Sequence, residues 1–187
     1  ERKRAEEERE RLLAAEREAT ARTVERQRRL DLVREAGQVL ASSLDYRSAI
    51  QRVAELAVRE YADWCVVDII EDGSPLKRVA IARAELLSQE AAVAPDQEPE
   101  EAVRTVVETG GSKIVPALGE APNGREKTSI LGGIDARSAI CVPLPARKRT
   151  LGALTLARTG SGETYGADDL ALAEDLAGRL ALAIDRG

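Results

Sequence analysis

The chain has 187 residues, 43% of them hydrophobic and 33% charged, with a formal net charge of -5 and no histidine, methionine or phenylalanine. One sizeable core plus an extension fits that length; the acidic balance argues against a nucleic-acid partner, whose phosphates call for a basic surplus, and no apolar run approaches the roughly 20 residues of a membrane-spanning helix. The missing histidine removes a histidine general base, a histidine ligand to haem or zinc, and a phosphorylatable histidine from this chain.

From Glu1 to about Leu40 there is no proline, the first glycine is Gly37, and Glu, Arg and Ala dominate, so a helix about 60 Å long is expected. With Leu12 at heptad position a, Ala5, Ala19, Val33 and Leu40 fall in phase. Arg26 interrupts that stripe and the d positions Glu8, Arg22 and Arg29 are polar, so the seam is poor before Leu30 and improves after it. Parallel pairing of two such helices is expected, the alternative being a solitary solvated helix held by Glu–Arg pairs at four-residue spacing. The start at Glu1 and the lack of any methionine suggest a piece of a longer polypeptide whose neighbours hold the output activity.

Asp45 is placed to cap a second helix, with Ile50, Val53, Ala54, Ala57 and Tyr61 as its apolar stripe. Ala62 to Ile70 then reads as a buried strand, and Asp72-Gly73-Ser74-Pro75 turns into another over Leu76 to Arg83. Ala84 to Ala94 is Ala-rich and ambiguous, and the PDQEP that follows is loop. A helix starts around Glu98-Pro99-Glu100-Glu101, with proline near its first position and acids in its first turn; Val103, Val106 and Val107 form its stripe and Gly110-Gly111 stops it. Lys113 to Val115 makes a short strand, Pro116 to Asn123 is irregular, and Gly124 to Leu131 suits a short helix.

Arg137 to Ala157 reads as a central hairpin. Ile140, Val142 and Leu144, continued by Leu154 and Leu156, form one face, and Ala139, Cys141, Leu151, Ala153 and Thr155 form the other. Neither face is polar, so both should be covered. After a turn-rich stretch over Thr159 to Gly166, Asp168-Asp169 opens a last helix with Leu172, Leu176, Leu180 and Ala183 on one side and Ala173, Ala177 and Gly178 alongside.

Four phrases in this order resemble a GAF domain, the small-molecule-sensing and dimerising module of bacterial signalling proteins: SLDYRSAIQRVAELAV leading into YADWCVVDII; RTVVETGGSKIV; RSAICVPL followed by LGALTLART; and TYGADDLALAEDLAGRLALAID. The resemblance covers about Leu40 to Asp185 and divides the chain into a signalling helix over 1–40 and a GAF domain over 41–187. It implies an α+β fold: an antiparallel sheet of five or six strands with helices on both faces, the first and last helices of the domain on one side and a pocket enclosed by loops and short helices on the other. The wording is most similar to GAF domains that lie between PAS sensors and a serine phosphatase or histidine kinase output, and in such proteins the terminal helices continue into coiled coils that carry the signal. The Asn-Lys-Phe-Asp-Glu pattern of cyclic-nucleotide-binding members cannot be complete without Phe. Arg83 stands where related domains often carry a histidine, so haem binding is not supported, and neither is bilin attachment.

Seven residues are candidates for a ligand site: Asp68 within an apolar strand, Arg83 at the end of the next, Asp135, Arg137 and Ser138 at the entry to the central hairpin, and the two cysteines, Cys65 and Cys141. A carboxylate and a guanidinium around one cavity would orient a polar metabolite; for each residue alone, an ion pair or an exposed strand edge is the simpler account. The cysteines sit in apolar runs, where thiols stay protonated, and lack a histidine partner or a third, resolving cysteine. Inert core thiols are therefore expected, with a cysteine-based reductase or redox sensor as the alternative. No catalytic residue, metal ligand or named cofactor is assigned. The expected function is a non-catalytic, cytoplasmic regulatory domain, homodimeric through its terminal helices, that senses a small molecule and controls an output domain; a structural dimerisation module without ligand is the competing expectation.

Overall fold

The computed structural model describes residues 2–71, 73–84, 99–115, 136–147, 149–159 and 164–186. The possible short helix over Gly124 to Leu131, and Asp135, lie outside them. Four helices, α1 (Arg2–Ser42), α2 (Tyr46–Glu60), α3 (Glu101–Thr109) and α4 (Ala167–Ile184), accompany five strands, β1 (Trp64–Ile69), β2 (Lys77–Arg83), β3 (Lys113–Val115), β4 (Ser138–Pro145) and β5 (Thr150–Arg158). The strands form one antiparallel sheet in the order β2-β1-β5-β4-β3, so β5, last in sequence, is central in space. No helix among the described residues is long and apolar enough to cross a membrane.

Local chemistry sets most of these boundaries. The Asp45 carboxylate accepts the backbone N–H groups of Arg47 and Ser48, satisfying two donors that the first turn of α2 would otherwise leave bare. Behind that cap, α2 buries Ile50, Val53, Leu56 and Val58 with Ala49, Ala54 and Ala57; full burial of each larger side chain is worth about 1.5–3 kcal/mol. Tyr61, expected on the helix stripe, is instead the residue that ends it. In α3 the cap is Glu100 and the first helical residue Glu101, so Pro99 lies before the helix rather than within its first turn. Gly110 closes α3 in the left-handed conformation (φ 65°), which costs glycine nothing. Pro143 and Pro145 fall where β4 has run past β3, so the ladder loses no donor on that edge.

Two layers cover the sheet. On one side lie α2, α4 and the end of α1, joined by Ile140, Val142, Leu144, Leu154 and Leu156 from the central hairpin. On the other, α3 packs Val103 and Val106 over Val66, Ala139, Cys141, Ala153 and Ala157. Leu151 departs from the expected alternation and joins the helix-side cluster. The pairing of β4 with β5 shifts between Pro143 and Pro145, and the adjoining Gly152 adopts φ 159°, which breaks the two-residue period there.

The long helix is also used differently from the expected heptad seam. Leu32, Val33 and Ala36 are buried, and Val39 and Leu40 are partly buried, all within the chain's own core. The improvement in the apolar pattern after Leu30 therefore serves α2 and α4. Before it, Leu12 and Leu30 stay exposed; they are 18 residues, about five turns, apart and so share one line of the helix, away from the line of Val33.

Among the described glycines, Gly152 has the closest neighbours: a Cβ there would lie 2.0 Å from the carbonyl oxygen of Asp68 and 2.8 Å from the Cα of Ile69, both backbone atoms of the neighbouring strand. Gly152→Ala should destabilise the protein by about 3 kcal/mol or more in urea unfolding, because β1 and β5 must part. Gly178→Ala, with nothing within 4 Å of the new methyl, should be neutral or stabilise by up to about 1 kcal/mol through helix propensity. Equal effects of the two would contradict the register.

Candidate functional site

The alternation of β1 sorts the candidate residues between the two layers. Cys65, Val67 and Ile69 face the helices α2 and α4, whereas Val66 faces α3. Asp68 is paired with Ala153 of β5, which belongs to the α3 side. On β2 the register slips by one residue between Val67 and Asp68, so that Arg78 rather than Val79 stands opposite the carboxylate. Arg78 Nε donates to Asp68 Oδ1 at 3.1 Å, with both side chains almost wholly buried. Burial outweighs the guanidinium and leaves the Asp68 carboxyl above its ordinary range.

Two further contacts flank this pair on the same side of the sheet. The Thr155 hydroxyl donates to Cys141 Sγ at 3.4 Å, both groups being fully buried. At the outer end of β1, the Arg83 guanidinium lies 4.0 Å from the centre of the Trp64 ring, a cation–π contact that holds both side chains. Asp68, Arg83 and Cys141 thus share one layer. The structure adds Arg78, Thr155 and Trp64, none of which the sequence singled out as a site residue.

The remaining candidates stand elsewhere. Cys65 belongs to the helix-side core. Ser138 is buried as well, its Oγ accepting the Tyr165 N–H at 3.0 Å, which fastens the segment leading into α4. Arg137 is exposed, and its backbone N–H extends the ladder to the Arg158 carbonyl at 2.7 Å. The two thiols lie in opposite layers on β1 and β4, with β5 between them, which prevents a bond between them. Burial pushes the Cys65 thiol up to about 12; burial, partly offset by the Thr155 hydroxyl, pushes Cys141 up to about 11. Both are neutral thiols at physiological pH and so poor nucleophiles. Among the described residues no cluster of His, Cys, Asp or Glu is arranged to hold a metal ion.

A second polar assembly joins the sheet to the long helix, and its centre is Asp169 in the first turn of α4. Arg29 of α1 contacts Asp169 at 3.2 Å and Asp168 at 3.3 Å. The Tyr61 hydroxyl, at the end of α2, donates to the same Asp169 oxygen that faces Arg29, and the Gly166 N–H donates to the other at 2.7 Å. Burial, reinforced by this carboxylate acceptor, raises the Tyr61 phenol above its ordinary range. From the end of β5, the Arg158 guanidinium lies 4.3 Å from the Tyr165 ring and 5.3 Å from the Tyr61 ring. Above Arg29 the helix leaves the domain surface, opening a cleft of about 670 Å³ whose walls include Arg22, Arg26 and Ala171. Arg29 is therefore the uppermost tie between α1 and the domain's own polar groups among the described residues.

The family model for the GAF domain matches residues 49–186. Among solved structures, the chain is similar to the GAF domain of a phosphoenolpyruvate-protein phosphotransferase from Coxiella burnetii (18% identity, 86% of this chain and 94% of that one, TM-score 0.65). It is similar too to the phycocyanobilin-bound GAF domain of a cyanobacterial phytochrome (12%, 84% and 94%, TM-score 0.62) and to a type II free methionine-R-sulfoxide reductase from Thermoplasma acidophilum (15%, 75% and 93%, TM-score 0.56). A search of curated proteins found no match to this chain.

The state of the thiols is directly measurable. Iodoacetamide at neutral pH should alkylate neither Cys65 nor Cys141 in the folded protein and both in urea, as read by mass spectrometry. Rapid modification of folded Cys141 at neutral pH would show a thiolate that the buried environment does not allow.

Proposed function

Since the chain belongs to the GAF domain family, as the match over residues 49–186 establishes, we propose that it is a regulatory sensor module that binds a small molecule on the α3 side of its sheet and passes the signal to α1. GAF domains are generally regulatory rather than catalytic, and the two buried thiols, in separate layers, offer no support for a reductase mechanism. The observation that carries this function is the asymmetry of the sheet. Its helix side is an apolar core with polar groups such as Ser138 and Asp169 only at its margin, whereas the α3 side holds the buried Asp68–Arg78 pair, the Thr155–Cys141 contact and Arg83 over Trp64. Buried polar groups cost stability unless they are satisfied, and clusters of them on one face are characteristic of binding sites. Arg137, exposed just before β4, belongs to the same proposal.

The relay follows from the second assembly. A ligand that alters the α3 side acts on β5, whose end carries Arg158 against Tyr61 and Tyr165. Tyr61 and Arg29 share Asp169, so a small displacement there favours one of two placements of α1. In this scheme the domain works as a cytoplasmic homodimer through its terminal helices, with Leu12, Leu13, Val24 and Leu30 exposed for that purpose, and governs a phosphatase or kinase output in the parent chain.

Native mass spectrometry of the protein purified from its own host tests the proposal. A dimer carrying a discrete extra mass is expected. A bare dimer would instead indicate a structural dimerisation module, and a bare monomer would remove both the sensor and the helix pairing from this chain.

A further inference from the structure

The two outer strands of the sheet are closed in different ways. β3 has only three residues, begins with Lys113, and gives way to the part of β4 that carries Pro143 and Pro145, so that edge offers little to pair with. β2 has seven residues, and no strand pairs with its far side among the described residues. Its middle, Val79-Ala80-Ile81-Ala82, is apolar and has neither proline nor glycine, a composition that favours pairing with another chain.

Within that run the edge is nevertheless occupied. The Gln51 carboxamide, reaching from the second turn of α2, accepts the Ile81 N–H at Oε1 (3.3 Å) and donates from Nε2 to the Ile81 carbonyl oxygen (3.1 Å). Residues of a hydrogen-bonded antiparallel pair exchange the same two bonds, so the amide stands where a neighbouring strand would. Nε2 also donates to Glu55 Oε1, one turn further along α2, at 3.0 Å, which engages both donors and the acceptor of the amide and fixes its orientation. We propose that Gln51 guards this edge: its carboxamide holds the place of a sixth strand at Ile81 and keeps β2 from pairing with β2 of a second copy. Two identical edges can meet antiparallel about a two-fold axis at Ile81, each Ile81 then making with the other the two bonds it makes with Gln51. Arg83 of one copy falls opposite Val79 of the other, so the two Arg83 side chains are not opposed. Such pairing is separate from any pairing through α1 and does not depend on the sensor function.

Two variants of the whole chain test the guard. Gln51→Ala removes the side chain, and Gln51→Met keeps its length and suits a helix but cannot hydrogen-bond the edge. Sedimentation velocity over a range of concentrations reads association, and amide hydrogen exchange reads Ile81. In dilute solution the Ile81 amide of both variants should exchange about tenfold faster than in the unaltered protein, the factor of one hydrogen bond. On concentration both should associate one step beyond the state of the unaltered protein, and the Ile81 amide should regain its protection as the edges pair. Should Gln51→Ala fail to fold, Gln51→Met decides by itself. An association state unchanged from that of the unaltered protein at every concentration would overturn the proposal and leave Gln51 a strut between α2 and β2. Association of Gln51→Ala without that of Gln51→Met would show that the bulk of the side chain, and not its amide, covers the edge. Association with Ile81 still unprotected would place the contact on another surface, and either result would overturn the proposal too.

Discussion

Strand β5 is hydrogen-bonded along both edges and buried on both faces, and the other elements take their places from it. Gly152 allows it to lie against β1 at a distance no side chain would permit, and the pairs Asp68–Ala153, Val66–Thr155 and Trp64–Ala157 follow from that contact residue by residue. Because side chains alternate along a strand, this one register decides which groups face α3 and which face α2 and α4. A slip of one residue would exchange Asp68 with Val67 and bury a carboxylate in the helix-side core.

The consequence is a sheet with two unlike sides. On the helix side, Leu and Ile from β4, β5, α2 and α4 interdigitate with closely packed alanines, and polar groups lie at the margins, where Asp169, Tyr61 and Arg158 meet. On the α3 side an ion pair sits within the sheet itself. Burying such a pair seldom stabilises a fold compared with apolar side chains of the same volume.

Local signals made much of this legible. The cap at Asp45, the stop at Gly110, the acidic first turn of α4 and the alternation of Ile140, Val142 and Leu144 each act within a few residues and are visible in the chain. The division of the candidate site was not. Cys65 and Cys141 look equivalent in sequence, yet they point into opposite layers, since that depends on how β1 and β4 are set against β5. Arg78 could not be paired with Asp68 without the slip in register at Val67. The tie of Arg29 to Asp169 spans 140 residues, and that of Tyr61 to Asp169 spans 108, with no pattern linking them. Apolar periodicity near Val33 and Leu40 has two uses open to it, a second helix or the chain's own core, and within this chain Val33 is buried and Leu40 partly buried against α2 and α4.

The account depends most on Asp169 linking α1 to the end of β5, and coupling of that kind is reciprocal: loosening one end must be felt at the other. Amide hydrogen exchange in Arg29→Gln, which keeps the helix propensity of α1 but removes its ion pairs to Asp168 and Asp169, reads both ends at once. Faster exchange over residues 32–40 together with a change at Thr155 to Arg158, and none in β2, is the result expected of a relay. A change confined to α1 would show that Arg29 only anchors the helix and that β5 does not speak to it.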